Sequence, residues 1–291
     1  MRSKIIFVNS FKGGAGKTTL SLMHCITGLF SSSVYENVIY MDLDILGTAT
    51  SYLFEDGRLP VEKCFDRTGK PVKIALTVKD KDKDKDVTKH LYVAYLDPGF
   101  KTGDFSGEEQ YVHHKVLNEE LLRHQVLRFI ETQMKTEIPI LIVLDCAPGF
   151  SGLEQELLKT CYERAKVWDT EIEENYVMTL DGAHIRKSLS CLKSSRVSYI
   201  IGPRERTIHF VLLDLQNYGG YVNNVEKGKL SEDRKKMADR ITAELEGLDI
   251  SVYWCEYAEE IALKNTYTRE EKVENQVDCY RMTGRNYILL S

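Results

Sequence analysis

Apolar residues along this chain fall into short continuous runs separated by stretches of helical length. The first run, residues 4–10 (KIIFVNS), is β-branched and ends at a glycine cluster, beyond which Lys17 to Phe30 reads as a helix. A serine-rich break at 31–33 leads to a second run, Val38 to Met41, that ends in Asp42 and Asp44. A third, Ile138 to Leu144, is almost wholly aliphatic and ends in Asp145. Runs with no polar alternation suit strands covered by helices on both faces. Tyr176 to Leu180, Ile208 to Leu213 and Ile250 to Trp254 are further strand candidates, and helices are expected near 115–134, 153–168, 182–195, 231–246 and 257–266.

This alternation predicts an α/β fold, a mostly parallel sheet wrapped on both sides, whose acidic strand ends converge on the edge where such sheets bind ligands. Two segments depart from it. VKIALTVK and VTKHLYVAYL flank the repeat Asp80 to Asp86 (DKDKDKD), which predicts an inserted β-hairpin near 72–97 with a charged tip, a solvated turn or else a docking finger. Residues 216–230 are rich in Gly and Asn and read as a loop before a helix that Ser231 would cap. With no internal repeat and no clear linker, 1–291 is expected to be a single domain.

The chain has 291 residues, 43% of them apolar, enough for a well-buried core. Its 39 Lys and Arg against 44 Asp and Glu give a net charge of -5, which excludes a uniformly basic nucleic-acid coat but not a local patch. Seven cysteines are scattered singly, as in a reducing compartment, and no zinc site is suggested. Ile5 to Val8 is too short for a signal peptide, and no run approaches the length of a membrane span, so a cytoplasmic protein is expected. His113, His114 and His184 lack carboxylates or cysteines at ligand spacing.

The chemistry concentrates in Lys12 to Thr19, KGGAGKTT, between a strand and a helix. Gly13, Gly14 and Gly16, with Ala15, leave backbone N–H groups open to phosphate oxygens, and the helix N-terminus adds to the attraction. Lys17 would reach the β- and γ-phosphates of a nucleotide, and the Thr18 hydroxyl, followed by Thr19, would be a ligand of Mg2+.

The lysine at position 12, directly before two glycines, resembles the deviant Walker A family that includes the ParA partition ATPases and MinD. The resemblance implies a P-loop NTPase fold and an ATP-dependent homodimer in which Lys12 crosses the interface to the partner's nucleotide. MDLDILGTATS (41–51) is similar to the family pattern D-L-D-P-Q-G-N-A-T-S at Asp42, Leu43, Asp44, Gly47, Ala49, Thr50 and Ser51, with Ile45 and Leu46 in place of Pro-Gln. It implies that Asp44 positions the attacking water and Asp42 supports the metal shell. ILIVLDCAPG (140–149) resembles the Walker B stretch, where Asp145 would hold a Mg2+-bound water. Asp214 stands where relatives carry an adenine-reading asparagine; it accepts from an exocyclic amine but cannot also donate. ATP is nevertheless expected over GTP. Cys146 lacks a basic sequence neighbour and reads as a packing residue.

Function then divides three ways: an ATPase switch that positions cargo or recruits a protein partner, as ParA-like proteins do, including plasmid or chromosome partition; a small-molecule enzyme resembling dethiobiotin synthetase; or a weakly hydrolysing ATP-binding subunit of a defence or secretion assembly. Arg234, Lys235, Lys236 and Arg240, with Lys227 and Lys229, would form a patch for non-specific DNA, though acidic residues at 232, 233 and 239 favour a solvated face. The tail Met282 to Ser291 is too short and poorly patterned for membrane targeting.

Overall fold

The computed structural model describes residues 2–30, 34–44, 72–80, 85–95, 123–136, 138–149, 152–179, 182–194, 206–213, 236, 240, 243, 250–255 and 288–289. Within them the order is β1 (Ser3–Asn9), α1 (Lys17–Phe30), β2 (Asn37–Asp42), β3 (Val72–Asp80), β4 (Lys85–Tyr95), α2 (123–134), β5 (Ile140–Asp145), α3 (Gly152–Arg164), β6 (Thr170–Thr179), α4 (Gly182–Ser194), β7 (Thr207–Leu213), β8 (Ile250–Cys255) and β9 (Ile288–Leu289).

The described strands form one sheet in the order β3-β4-β2-β5-β1-β6-β7-β8-β9. From β4 to β8 every pairing is parallel, and β3 and β9 close the two edges antiparallel. The expected α/β architecture is thus present, and so is the inserted hairpin, as β3–β4: β4 pairs in parallel with β2 and the hairpin extends the sheet. Its tip, 81–84, lies outside the described residues.

Strand alternation sorts the core into two layers. Ile6, Val8, Val38, Tyr40, Leu141 and Val143 face α1, which covers them with Leu20, Met23, Cys25 and Leu29. Ile5, Phe7, Ile39, Met41, Ile142 and Leu144 face α2 and α3, which contribute Phe129, Ile130, Leu153, Leu157 and Cys161. Helix α1 lies close on the sheet at Gly28, where an added Cβ would stand 2.4 Å from Leu141 Cδ2. Lys89 of β4 donates to the Leu29 carbonyl, placing a cation at the C-terminal end of α1 where the helix dipole is negative.

Several elements differ from the pattern reading. Helix α3 stops at Arg164 rather than 168, and the chain turns through Asp169 at φ 47° before β6. Strand β6 begins at Thr170, six residues earlier than Tyr176, because Glu173 and Glu174 are buried within it. Glu174 accepts from buried Arg206 (Nε, 2.6 Å), from Tyr162 Oη (2.8 Å) and from Tyr176 Oη (2.8 Å), while Glu173 pairs with Lys4. The C-terminal tail supplies an edge strand, Ile288–Leu289, against β8. In the expected helix 231–246, Lys236, Arg240 and Ala243 are helical and exposed. All of 115–122, all of 216–230 and the expected helix 257–266 lie outside the described residues. Among the described residues no helix is long and apolar enough to cross a membrane.

Candidate functional site

Strands β2, β5 and β1 are consecutive in the sheet, and the chain leaves β1 toward β2 on one side but reaches β6 on the other. Strand order reverses there, and open α/β sheets bind ligands beyond the carboxyl ends of the strands at such a point. The loop from Ser10 to Gly16 occupies that position, between β1 and the first turn of α1.

The loop is held from beneath. Ser10 Oγ donates to the Lys12 carbonyl (3.1 Å) and accepts from the Lys12 N–H (3.3 Å), and the Ser10 carbonyl accepts from the Gly149 N–H (2.9 Å). Ala15 is buried, while Gly13 and Gly14 are exposed and a Cβ at either would meet no atom within 4 Å. Gly14 (φ 69°) and Gly16 (φ 92°) adopt left-handed conformations that favour glycine. The Gly16 carbonyl accepts the first bond of α1, from the Leu20 N–H at 3.0 Å. Lys17 is buried, Thr18 and Thr19 are half-buried, and the Lys12 side chain is exposed.

The acidic residues converge on the same place. Asp42 and Asp145 are cross-strand neighbours at the ends of β2 and β5, both buried and both on the α1 face. Asp42 Oδ1 accepts from the Asp44 N–H (2.9 Å), which folds the chain after β2 back over the strand end. The Asp145 carbonyl accepts from the Leu43 N–H (2.9 Å). Burial pushes the Asp145 carboxyl above the usual carboxylate range; hydrogen bonds from Thr18 and Tyr40 and the charge of Lys17 oppose this, and Asp44 adds to it. Asp145 Oδ2 accepts from Tyr40 Oη at 2.8 Å, whereas Oδ1 is shielded from solvent and has no partner.

A buried carboxylate oxygen left without a donor is costly unless something binds there. The donor set around it, a threonine hydroxyl and carboxylates next to the glycine loop, consists of hard oxygens of the kind Mg2+ takes together with water and nucleotide phosphates. The residues present therefore fit that ion. The structure thus brings together Lys12, Gly13, Gly14, Ala15, Gly16, Lys17, Thr18, Thr19, Asp42, Asp44 and Asp145. Asp214, expected at the base, directly follows β7 and lies outside the described residues, as do 45–51, His113 and His114.

Three contributors were not singled out from the sequence. Tyr40 looks like one more apolar strand residue, Ser10 like the last residue of the first run, and Glu154 like an ordinary acidic first-turn residue. Glu154 is in fact buried and accepts the Ala147 N–H at 2.6 Å, tying α3 to the turn after Asp145. Cys146 has Lys17 near it in space, although no basic residue is near in sequence. Burial, with Glu154 and Asp145 beside it, still pushes the thiol well up, so it packs rather than reacts. His184 is likewise a framework residue, its Nδ1 lying 3.1 Å from Thr179 Oγ1.

No protein-family model and no curated protein matches the chain. Solved structures do match it. A structure of pNOB8 ParA bound to nonspecific DNA has a TM-score of 0.55 at 13% identity, covering 98% of this chain and 98% of that one. A Borrelia burgdorferi B31 protein, assigned as a plasmid partition protein and bound to AMPPNP, has a TM-score of 0.51 at 14% identity over 97% of this chain and 99% of its own. A ParA family ATPase from Chlorobium tepidum TLS gives 0.51 at 13% identity over 96% and 92%. At such identities the likeness is one of fold, and it extends over nearly the whole length of each chain.

Proposed function

We propose that this chain is a Mg2+- and ATP-dependent ATPase of a single domain, switching in the cytoplasm between a monomer and a nucleotide-sandwich dimer that positions cargo or recruits a protein partner. The observation that carries this reading is the convergence of the glycine loop, Lys17 and Thr18 with the paired buried carboxylates of Asp42 and Asp145. A fold shared with a protein assigned to plasmid partition that holds AMPPNP and with a ParA that holds nonspecific DNA supports it.

In this reading the open N–H groups of 13–16 and the Lys17 ammonium hold the β- and γ-phosphates of ATP. Thr18, and Asp145 through a water with Asp42 behind, would hold Mg2+, which would supply neutralisation of phosphate charge. Asp44, half-buried at the rim, orients a water toward the γ-phosphorus. The water oxygen bonds to phosphorus as the bond to the β,γ-bridging oxygen breaks, leaving ADP and phosphate. Lys12 is exposed while its backbone is clamped by Ser10, which suits a cation presented to a second copy rather than to its own nucleotide. Lys236 and Arg240, exposed one helical turn apart, support a non-specific DNA contact.

The deciding experiment is the solution mass of Asp44→Ala by light scattering with Mg2+ and ATP, with Mg2+ and ADP, and without nucleotide. Doubling of mass only with ATP, abolished by adding Lys12→Ala, is expected. A mass indifferent to nucleotide, with ATP still bound, would refute the switch and leave a small-molecule enzyme or an assembly subunit.

A further inference from the structure

On the reading of Asp145 as the metal-site carboxylate, we propose that Tyr40 is a positioning residue for the metal, holding the Asp145 carboxylate so that one oxygen stays available to a metal-bound water.

The placement follows from the sheet. Tyr40 and Asp42 alternate onto the α1 face of β2, and β2 runs parallel beside β5 with Tyr40 opposite Val143 and Asp42 opposite Asp145. A side chain two residues before Asp42 must be long to reach the neighbouring strand's end. Tyrosine is long enough, and its hydroxyl lands 2.8 Å from Asp145 Oδ2 with both residues buried. Tyr40 is among the largest fully buried side chains, so its ring is packed and the hydroxyl cannot swing away.

The bond has a geometric consequence. It engages Oδ2 alone, which sets the rotation of the carboxyl plane and leaves Oδ1 unpartnered. Without that bond the carboxyl would rotate, sharing its oxygens between Thr18 and water. Partners standing behind a metal's ligand sphere act in this way, and losing one weakens metal binding by about 10- to 100-fold. Here Asp145 itself acts through a water, so the lower end, roughly tenfold, is expected.

The test measures AMPPNP binding by calorimetry in EDTA and in excess Mg2+, for the full chain and for Tyr40→Phe. The ratio of the two dissociation constants is the coupling between metal and nucleotide, and a partly unfolded sample cancels from it. In Tyr40→Phe the EDTA value should stay within about twofold while the coupling falls roughly tenfold. Adding Tyr40→Phe to Asp145→Asn should change the coupling no further, because the residue acts only through Asp145. Full coupling retained in Tyr40→Phe overturns the role of Tyr40 alone. An equal loss with and without Mg2+ also overturns it, marking Tyr40 as mere packing. Wild-type binding that ignores Mg2+ would sink both this inference and the metal reading beneath it.

Discussion

Replacing His24 with leucine should remove a large part of the protein's acid sensitivity. His24 lies on α1, against a polar group set in the α1 face of the sheet: Glu173 and Asn175 of β6, Lys4 of β1 and His209 of β7. Asn175 Nδ2 donates to Glu173 Oε1 (2.8 Å), Lys4 pairs with the same carboxylate, and His209 Nε2 stands 3.8 Å from it. The Nε2 of His24 is shielded from solvent with no partner. Burial lowers its pKa to about 4, the attraction of Glu173 being too weak to offset the enclosure and the repulsion of Lys4 and His209. Since the folded value lies below the unfolded value of about 6.5, the unfolded chain binds the extra proton first, and stability falls as pH drops from above 6.5 toward 4. Between about pH 7.5 and pH 5 this one group should remove ~2 kcal/mol, from the ratio of the two binding polynomials. Glu173 is desolvated, yet Lys4, His24 and Asn175 hold it below the carboxylate range, so its own contribution is lost only under more acidic conditions. Burial lowers His209 too, and it should leave a residual slope in the same window. Urea unfolding of wild type and His24→Leu at the two pH values measures the difference. Equal pH dependence in both proteins would show that the enclosed ring is not what the unfolded state titrates.

Three further perturbations follow from the packing and the loop. Gly28→Ala gains about 1 kcal/mol of helix propensity but drives a methyl into Leu141, and overpacking of about 1–3 kcal/mol should win; a midpoint of urea unfolding at or above wild type refutes the close approach. Glu174→Gln leaves the wholly buried Arg206 guanidinium without its charge partner and should cost about 3–5 kcal/mol, whereas a loss under about 1 kcal/mol in the same assay would mean that the pair is not dry. Lys17→Ala should weaken AMPPNP binding by one to two orders of magnitude, the worth of a charge-assisted hydrogen bond of about 1.5–3 kcal/mol, with unchanged thermal unfolding in the absence of nucleotide; unaltered binding by calorimetry would remove Lys17 from the phosphate site.

The parts of this molecule legible in the sequence are those where one residue's neighbours along the chain decide its environment. A parallel strand buried on both faces needs an unbroken apolar run, so β1, β2 and β5 stood out, and a strand-glycine-helix loop needs its glycines in consecutive order. Asp42 and Asp145 were recognisable because each ends such a run. What escaped notice depends on partners far along the chain. The first half of β6 reads as acidic and exposed until Arg206 and Lys4 are placed beside Glu174 and Glu173. Tyr40 reads as filler until Asp145, 105 residues later, comes within hydrogen-bond reach. Buried polar groups are specified by pairs, and a pair with no periodic spacing leaves no local mark. The Tyr40–Asp145 bond and the Glu173 and Glu174 networks carry charge under the sheet through partners that lie far apart along the chain. Substitution of Tyr40 should change how tightly the proposed site takes Mg2+, and substitution of Glu173 or Glu174 at what pH the fold survives, while the glycine loop keeps its shape.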